Sequence, residues 1–307
     1  MTFQPLLNCW YLTGPTAAGK SAVGVELAER IGAEIVSMDS MALYRRMDIG
    51  TAKPSPAERG RVPHHLIDAI DPHEEYSLAQ YIESAHRCIE DIAGRGNKVL
   101  FVGGTPLYLK GLLRGIFQGP PADWTFRRQL QQEAQQQEPM WLHRRLNEVD
   151  PAAAARLHHN DTRRLIRALE IFHLTGRPIS EYQKQFEVGV PAERCHVLVL
   201  DWPREELHAR IDSRVSEMFT NGLVDEVREL LVGPHPLGKT AGQAVGYREV
   251  IEHLEGRCNL DETIELVKLH TRQLAKRQGT WFRSLCECRF VPLSGQFDSV
   301  EVAQKIV

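Results

Sequence analysis

At 307 residues the chain has room for about two domains. Its 42% hydrophobic and 25% charged residues are those of a globular protein, which excludes general disorder. The net charge of −3 excludes a uniformly basic nucleic-acid binder, although a basic groove on an acidic surface stays open. Six cysteines (Cys9, Cys88, Cys195, Cys258, Cys286, Cys288) are too few and too scattered for a disulfide scaffold, and none has the Cys-x-x-Cys spacing of a zinc site. Reduced thiols in a cytoplasmic protein are the expectation. The opening MTFQPLLNCWYLTGPT carries no basic leader or small-residue cleavage site. No apolar stretch approaches the ~20 residues that cross a bilayer, so no membrane association is expected.

The first hundred residues alternate strands and helices. CWYLT at 9–13 reads as a buried strand, GPTAAGKS at 14–21 as a loop, and SAVGVELAERIG at 21–32 as a helix with Val23, Leu27 and Ile31 on one side. AEIVSMD at 33–39 is a second strand ending on Asp39. Residues 77–94 form an amphipathic helix with Ser77 as N-cap. KVLFVGGT at 98–105 is a strand running into Gly103-Gly104-Thr105. This order predicts a parallel α/β sheet with crossover helices. Near Gly119-Pro120-Pro121 the pattern changes, and 125–185 is helical without strand alternation. CHVLVLDW at 195–202 then returns the chain to the sheet, and the remainder reads as helical at 204–232, 242–255 and 261–285. The expected architecture is thus an α/β core of the P-loop NTPase type, a parallel sheet with flanking helices, over 1–119 and 191–307. A mainly helical insertion domain covers 120–190.

Gly14-Pro15-Thr16-Ala17-Ala18-Gly19-Lys20-Ser21 matches the phosphate-loop pattern at every fixed position, between a strand and a helix. Small residues let backbone N–H groups surround phosphate oxygens at a positive helix end. Lys20 adds a point charge, and the Ser21 hydroxyl is placed to ligate Mg²⁺. The loop binds a polyphosphate, which in most such proteins is a nucleotide such as ATP. Hydrolases and kinases of this type also need an acid after an apolar strand, yet KVLFV ends in Gly-Gly-Thr. Asp39 therefore has three readings: a carboxylate behind the metal, a general base, or an exposed strand-end residue. Thr105 lies at the strand edge where open sheets bind ligands, and either touches phosphate or caps an ordinary turn.

Arg163, Arg164 and Arg167 in NDTRRLIRALEIF share one helix side. Like charges placed so repel unless an anion lies among them, which favours an anion-facing cluster over a solvated face. Residues 127–185 carry ten Arg/Lys against seven Asp/Glu, and 268–289 carry six against one, with Trp281 and Phe282 interleaved. Bases beside aromatics suit a nucleic-acid surface, unless the aromatics are core. The paired His64-His65 and His158-His159 lack a third ligand at fitting spacing and read as structural.

Together these blocks resemble the tRNA dimethylallyltransferases (tRNA isopentenyltransferases) of bacterial type. The resemblance runs through GPTAAGKS, DSMALYRRMDIGTAKP at 39–54, VPHHLID at 62–68, GGTPLY at 103–108 and NDTRRLIRALEI at 160–171. It continues with RIDSRVSEMFTNGLVDEV at 210–227, AVGYRE at 244–249 and TRQLAKRQGTWFR at 271–283. The family often has Gln-Val where this chain has Ala42-Leu43.

The resemblance implies transfer of a dimethylallyl group from dimethylallyl diphosphate to N6 of adenosine 37, the base 3′ of the anticodon in tRNA. Asp39 would be the base, Gly14 to Ser21 would hold the diphosphate with Mg²⁺ on Ser21, and Thr105 and Arg214 would complete the charge-stabilising set. Asp39, Ser40, Met41, Ala42, Arg163, Arg164, Leu165, Ile166, Arg167, Gln243, Gly246, Tyr247 and Arg248 would meet tRNA, the helical insertion gripping the anticodon stem-loop. A monomer is expected. The rivals are an adenylate isopentenyltransferase using free AMP, ADP or ATP, a P-loop nucleotide kinase, and a non-enzymatic RNA-binding switch. The basic segments argue for tRNA over a free nucleotide.

Overall fold

The computed structural model describes residues 4–117, 119–183, 188–233 and 235–307. The chain divides into two compact units, one of Met1–Pro5 with Arg114–Val188 and one of Leu6–Leu113 with Gly189–Val307.

The larger unit is built on a six-stranded, all-parallel sheet. In chain order come β1 (Trp10–Thr13), α1 (Lys20–Ile31), β2 (Ala33–Ser37), α2 (Pro56–Arg61), β3 (His64–His65), α3 (Leu78–Gly94), β4 (Lys98–Val102) and α4 (Pro106–Arg114). The strand order is β3-β2-β4-β1-β5-β6, with β5 (His196–Asp201) and β6 (Cys288–Pro292) supplied after the helical segment. In register, Tyr11 on β1 lies between Phe101 on β4 and Val197 on β5. The interior strands are buried on both faces, which is why they read as continuous apolar runs rather than as alternation. α1 packs Val23, Leu27 and Ile31 into a core shared with Leu12, Leu100 and Leu198. α3 starts at Ser77, which accepts from the Gln80 N–H while the Gln80 side chain returns to the Ser77 N–H.

The helical segment holds α5 (Trp124–Gln136), α6 (Trp141–Val149), α7 (Pro151–Arg156), α8 (Thr162–Thr175) and α9 (Ile179–Tyr182) around a separate core of Leu130, Leu142, Leu146 and Leu165. The C-terminal part adds α10 (Arg204–Thr220), α11 (Leu223–Leu231), α12 (Lys239–Gly242), α13 (Tyr247–Leu254), α14 (Leu260–Arg283) and, after β6, α15 (Ser299–Ile306).

The architecture agrees with the α/β expectation, and the differences lie at the sheet edges. β3 is only two residues long, and β6 is half exposed, with Arg289 breaking its apolar run and Pro292 closing it. The stretch 204–232 is two helices separated at Asn221-Gly222, not one. Among the described residues no helix is long and apolar enough to cross a membrane.

Candidate active site

The carboxyl ends of β1, β2, β4 and β5 lie along one edge of the sheet, where an open parallel sheet binds its ligands. Hydrogen bonds lock the ends of β1, β2 and β4 together. Gly103 N–H donates to Leu12 O at 3.2 Å, Met38 N–H to Val102 O at 2.8 Å, and the Thr13 hydroxyl to Gly103 O at 2.7 Å. A Cβ on Gly103 would sit 2.1 Å from the Met38 carbonyl, so only glycine allows the β2 and β4 ends to approach this closely.

The phosphate loop follows β1. Gly19 caps α1 at φ +92°, and Ala17 holds φ +64°, an unfavourable conformation for a residue with a side chain. The loop is fixed from outside by Trp202 Nε1–H donating to Ala18 O (3.1 Å) and Arg210 Nε–H donating to Ala17 O (2.9 Å). Arg210 is itself held between the Trp202 and Phe297 rings, 4.4 and 4.8 Å from their centroids. A cleft of about 670 Å³ opens beside the loop, lined by Thr16, Ala17, Gly19, Lys20, Ser21, Asp39, Thr51, Ala52, Arg210, Arg214 and Phe297 among others. A smaller hollow of about 60 Å³ shares Lys20, Ser21, Asp39, Thr51 and Ala52 and adds an apolar wall of Ile35, Ala42, Ile67 and Val102.

The cleft is a site for an anion. Burial lowers the Lys20 ammonium to about 8, Asp39 opposing and Arg214 adding to the shift. Burial likewise lowers Arg214 to about 10. Lys20 Nζ is turned onto the loop's own Pro15 carbonyl at 2.8 Å. Arg214 donates to the Thr16 hydroxyl through one terminal nitrogen, while its Nε is buried with no hydrogen-bond partner among the described residues. Two desolvated cations with donors to spare are costly unless an anion completes them. Of the cleft carboxylates Asp39, Glu58 and Glu217, Asp39 acts electrostatically on both cations, and its Oδ1 accepts from Met41 N–H at 2.9 Å. The Thr105 hydroxyl accepts from Ser40 N–H at 3.0 Å, which ties the end of β4 to the residue after Asp39.

Of the eight loop residues assigned to the diphosphate, Thr16, Ala17, Gly19, Lys20 and Ser21 line the cleft. Gly14, Pro15 and Ala18 are buried and shape the loop instead; Pro15 has no N–H, and its carbonyl takes Lys20 and the Ala18 N–H. Ser21, in the first turn of α1, shares both hollows with Asp39, and no group of three metal-type ligands occurs among the described residues. These residues fit a hard cation held by one hydroxyl and otherwise by substrate and water oxygens, the way Mg²⁺ binds.

Several residues assigned to tRNA sit elsewhere. Leu165 and Ile166 are buried in the core of the helical unit and cannot meet an RNA. Arg167 is committed to buried Glu170 and to Pro120 O, and Arg164 pairs with Asp161, so the anions among these arginines belong to the protein. Arg163 is exposed. Tyr247 is fully buried, its hydroxyl donating to Glu226 at 2.6 Å, and Gly246 is buried beside it. Gln243 and Arg248 are exposed, with Arg248 paired to Glu249. Ser40 and Met41 are half-buried, and Ala42 is buried in the wall of the smaller hollow. Phe282 is core, and Trp281 is half-buried.

Sequence reasoning missed three supports. Glu226 accepts from the N–H groups of Asp48, Ile49 and Gly50 (2.9, 2.7 and 3.2 Å), fixing the loop that brings Thr51 and Ala52 to the cleft. Arg210 stood beside Arg214 in the same block. Gln278 joins the phosphate loop to the Gly104 carbonyl.

Comparison with known proteins gives the family. A model described as IPP transferase matches residues 42–285, and one described as isopentenyl transferase matches 7–68. A tRNA dimethylallyltransferase of Geobacter metallireducens is 50% identical over 94% of this chain and 93% of its own. One of Thermotoga maritima is 46% identical over 95% and 94%. Among solved structures, the full-length tRNA isopentenylpyrophosphate transferase of Bacillus halodurans superposes with a TM-score of 0.71 at 36% identity, covering 98% of this chain and 95% of that one. A eukaryotic dimethylallyltransferase acting on tRNA gives 0.77 at 28%, over 92% and 73%. A cleft suited to an anion, on a chain this similar along nearly its whole length, leaves one assignment: the chain belongs to the tRNA dimethylallyltransferase family.

Proposed function

We propose that the protein transfers the dimethylallyl group of dimethylallyl diphosphate to N6 of adenosine 37 in tRNA, giving N6-dimethylallyladenosine and diphosphate, as a cytoplasmic monomer. The observation that carries this reading is the pairing of Lys20 and Arg214, both desolvated and incompletely bonded, with Asp39 in one cleft. Cations hold the leaving diphosphate, and a carboxylate stands ready for the attacking amine.

N6 of adenine is a poor nucleophile because its lone pair is delocalised into the ring. Asp39, steadied by the Met41 N–H, accepts the N6 proton as the new C–N bond forms. As the allylic C–O bond breaks, Lys20, Arg214, the Thr16 hydroxyl and the loop amides spread the charge that collects on the diphosphate. Thr105 keeps the Asp39 loop in place through Ser40. The Ser21 hydroxyl would hold Mg²⁺, which would supply further charge neutralisation when bound. The target base leaves the anticodon-loop stack to reach Asp39. The helical unit takes the anticodon stem-loop through exposed bases such as Arg163, whereas Leu165, Ile166 and Arg167 serve its core.

The test is the product mass after incubation with dimethylallyl diphosphate, Mg²⁺ and two competing acceptors: an unmodified anticodon stem-loop with adenosine after the anticodon, and AMP. One dimethylallyl group on the RNA with AMP untouched is expected. Modified AMP with unmodified RNA overturns the reading in favour of a free-nucleotide transferase.

A further inference from the structure

We propose that Gln278 is a positioning residue for the transfer reaction: its amide sets the spacing between the phosphate loop and the loop that carries Asp39. The proposal rests on the function given above and adds to it a residue outside the phosphate loop and the Asp39 loop.

Gln278 lies on the buried side of α14, where Thr263, Val267, Thr271, Ala275 and Phe282 recur at helical spacing. A long polar side chain in that row needs partners for its oxygen and its nitrogen. It finds both on main chain far away in sequence. Its Oε1 accepts from the Thr16 N–H at 2.9 Å, and its Nε2 donates to the Gly104 carbonyl at 2.6 Å. The two bonds also define which way the amide points.

One bond acts on Thr16, which lines the cleft, and the other on the peptide that leads into Thr105. Thr16 N–H is drawn towards α14, while the Thr16 hydroxyl accepts from Arg214. On the other side, the peptide joining Gly104 and Thr105 is clamped at both ends: its carbonyl by Gln278 and its N–H by Met38 O at 3.2 Å. That clamp orients the Thr105 hydroxyl towards the Ser40 N–H, and Ser40 follows Asp39. A continuous set of bonds thus runs from Arg214 through Thr16, Gln278, Gly104 and Thr105 to the Asp39 loop. A Cβ on Gly104 would lie 2.8 Å from Gln278 Nε2, so the glycine makes room for this contact. Donor and acceptor must be held in attack geometry within a fraction of an ångström, and this amide measures the distance between their two holders.

The experiment uses the full chain with two variants, Gln278→Met and Gln278→Glu, and reads kcat, KM for each substrate, and thermal unfolding. Gln278→Met keeps length and volume and removes both bonds. Its kcat should fall about 30-fold and its KM for dimethylallyl diphosphate should rise several-fold, with KM for the stem-loop RNA unchanged. Gln278→Glu keeps an acceptor for Thr16 but, when ionised, sets a carboxylate against the Gly104 carbonyl. Protonation restores the donor, so its kcat relative to the unmodified protein should recover as pH falls from about 8 to about 5.5. A role confined to packing would lower the melting temperature without that pH-dependent rescue. Unchanged kcat and donor KM in Gln278→Met, or a Gln278→Glu deficit that ignores pH, overturns the proposal. Should Gln278→Met fail to fold, Gln278→Glu decides alone. An unmodified protein that leaves the RNA unprenylated sinks both readings, whereas an active one with indifferent variants sinks only this one.

Discussion

Donor affinity should fall as pH rises through 8, and Lys20 is the reason. Burial brings its ammonium down to about 8. A bound diphosphate places negative charge beside the ammonium and raises the value again. If only the charged form binds, the dissociation constant grows as one plus ten to the power of pH minus 8. Between about pH 7 and about pH 9 that is a ten-fold loss, or about 1.4 kcal/mol. The assay is titration calorimetry with dimethylallyl diphosphate and Mg²⁺ at constant ionic strength. Lys20→Arg serves as control, because a guanidinium stays charged throughout and its curve should be flat. Unfolding would not mimic the effect. The folded value lies below the unfolded one, so over pH 8 to 10.5 the unfolded chain binds more protons at this residue, and the donor-free protein gains stability from it. Constant affinity from about pH 7 to about pH 9 would refute the reasoning, as would the same slope in Lys20→Arg.

Asp39→Asn should retain stem-loop RNA binding while kcat drops at least about 100-fold, since the amide cannot take the N6 proton; single-turnover kinetics that stay near the original rate would remove Asp39 from that role. Glu226→Gln turns an amide N–H group towards the main-chain donors at 48–50, and should cost about 1–3 kcal/mol in denaturant unfolding together with kcat/KM. In the helical unit, Arg163→Ala should weaken RNA binding and flatten its salt dependence without changing stability, whereas Arg167→Ala should act chiefly on stability. Burial alone would push the Glu170 carboxyl up, yet hydrogen bonds from Arg127 and Arg167 hold it below 4.5. Its contribution is therefore present above that pH and lost as pH falls through the lower, folded value. Glu170→Gln should cost about 2–3 kcal/mol at neutral pH, a difference that shrinks in acid; a pH-independent cost would show that the ion pairs are not its source.

The interior of the sheet was readable because strands buried on both faces leave uninterrupted apolar runs, as in KVLFV and HVLVL. Its edges were not, since β3 is too short for any pattern and β6 is half exposed. The phosphate loop was readable for a different reason: consecutive residues make it, so its geometry is written in one place. Glu226, Arg210 and Gln278 act on that loop or its neighbours across gaps of about 170 to 260 residues in the chain, and no local spacing encodes such contacts. Gln278 did carry a signal, a polar residue in the buried row of a long amphipathic helix, which asks for partners without saying where they are.

The arginines show what separates a binding cation from a structural one. In sequence, Arg163, Arg164 and Arg167 present a cluster suited to an external anion because they crowd one helix side. The balancing carboxylates were in the same stretch all along, Asp161 three residues before Arg164 and Glu170 three residues after Arg167, at the spacing that brings helix side chains together. Arg214 has a neighbour at the same spacing, Glu217, which lines the same cleft, yet its guanidinium donates to the Thr16 hydroxyl rather than to that carboxylate. What marks a ligand site is thus not the density of positive charge but a buried donor left without an acceptor. By that criterion Arg214 Nε, together with the Lys20 ammonium resting on a loop carbonyl, points to an anionic ligand more directly than the arginines of the helical unit do.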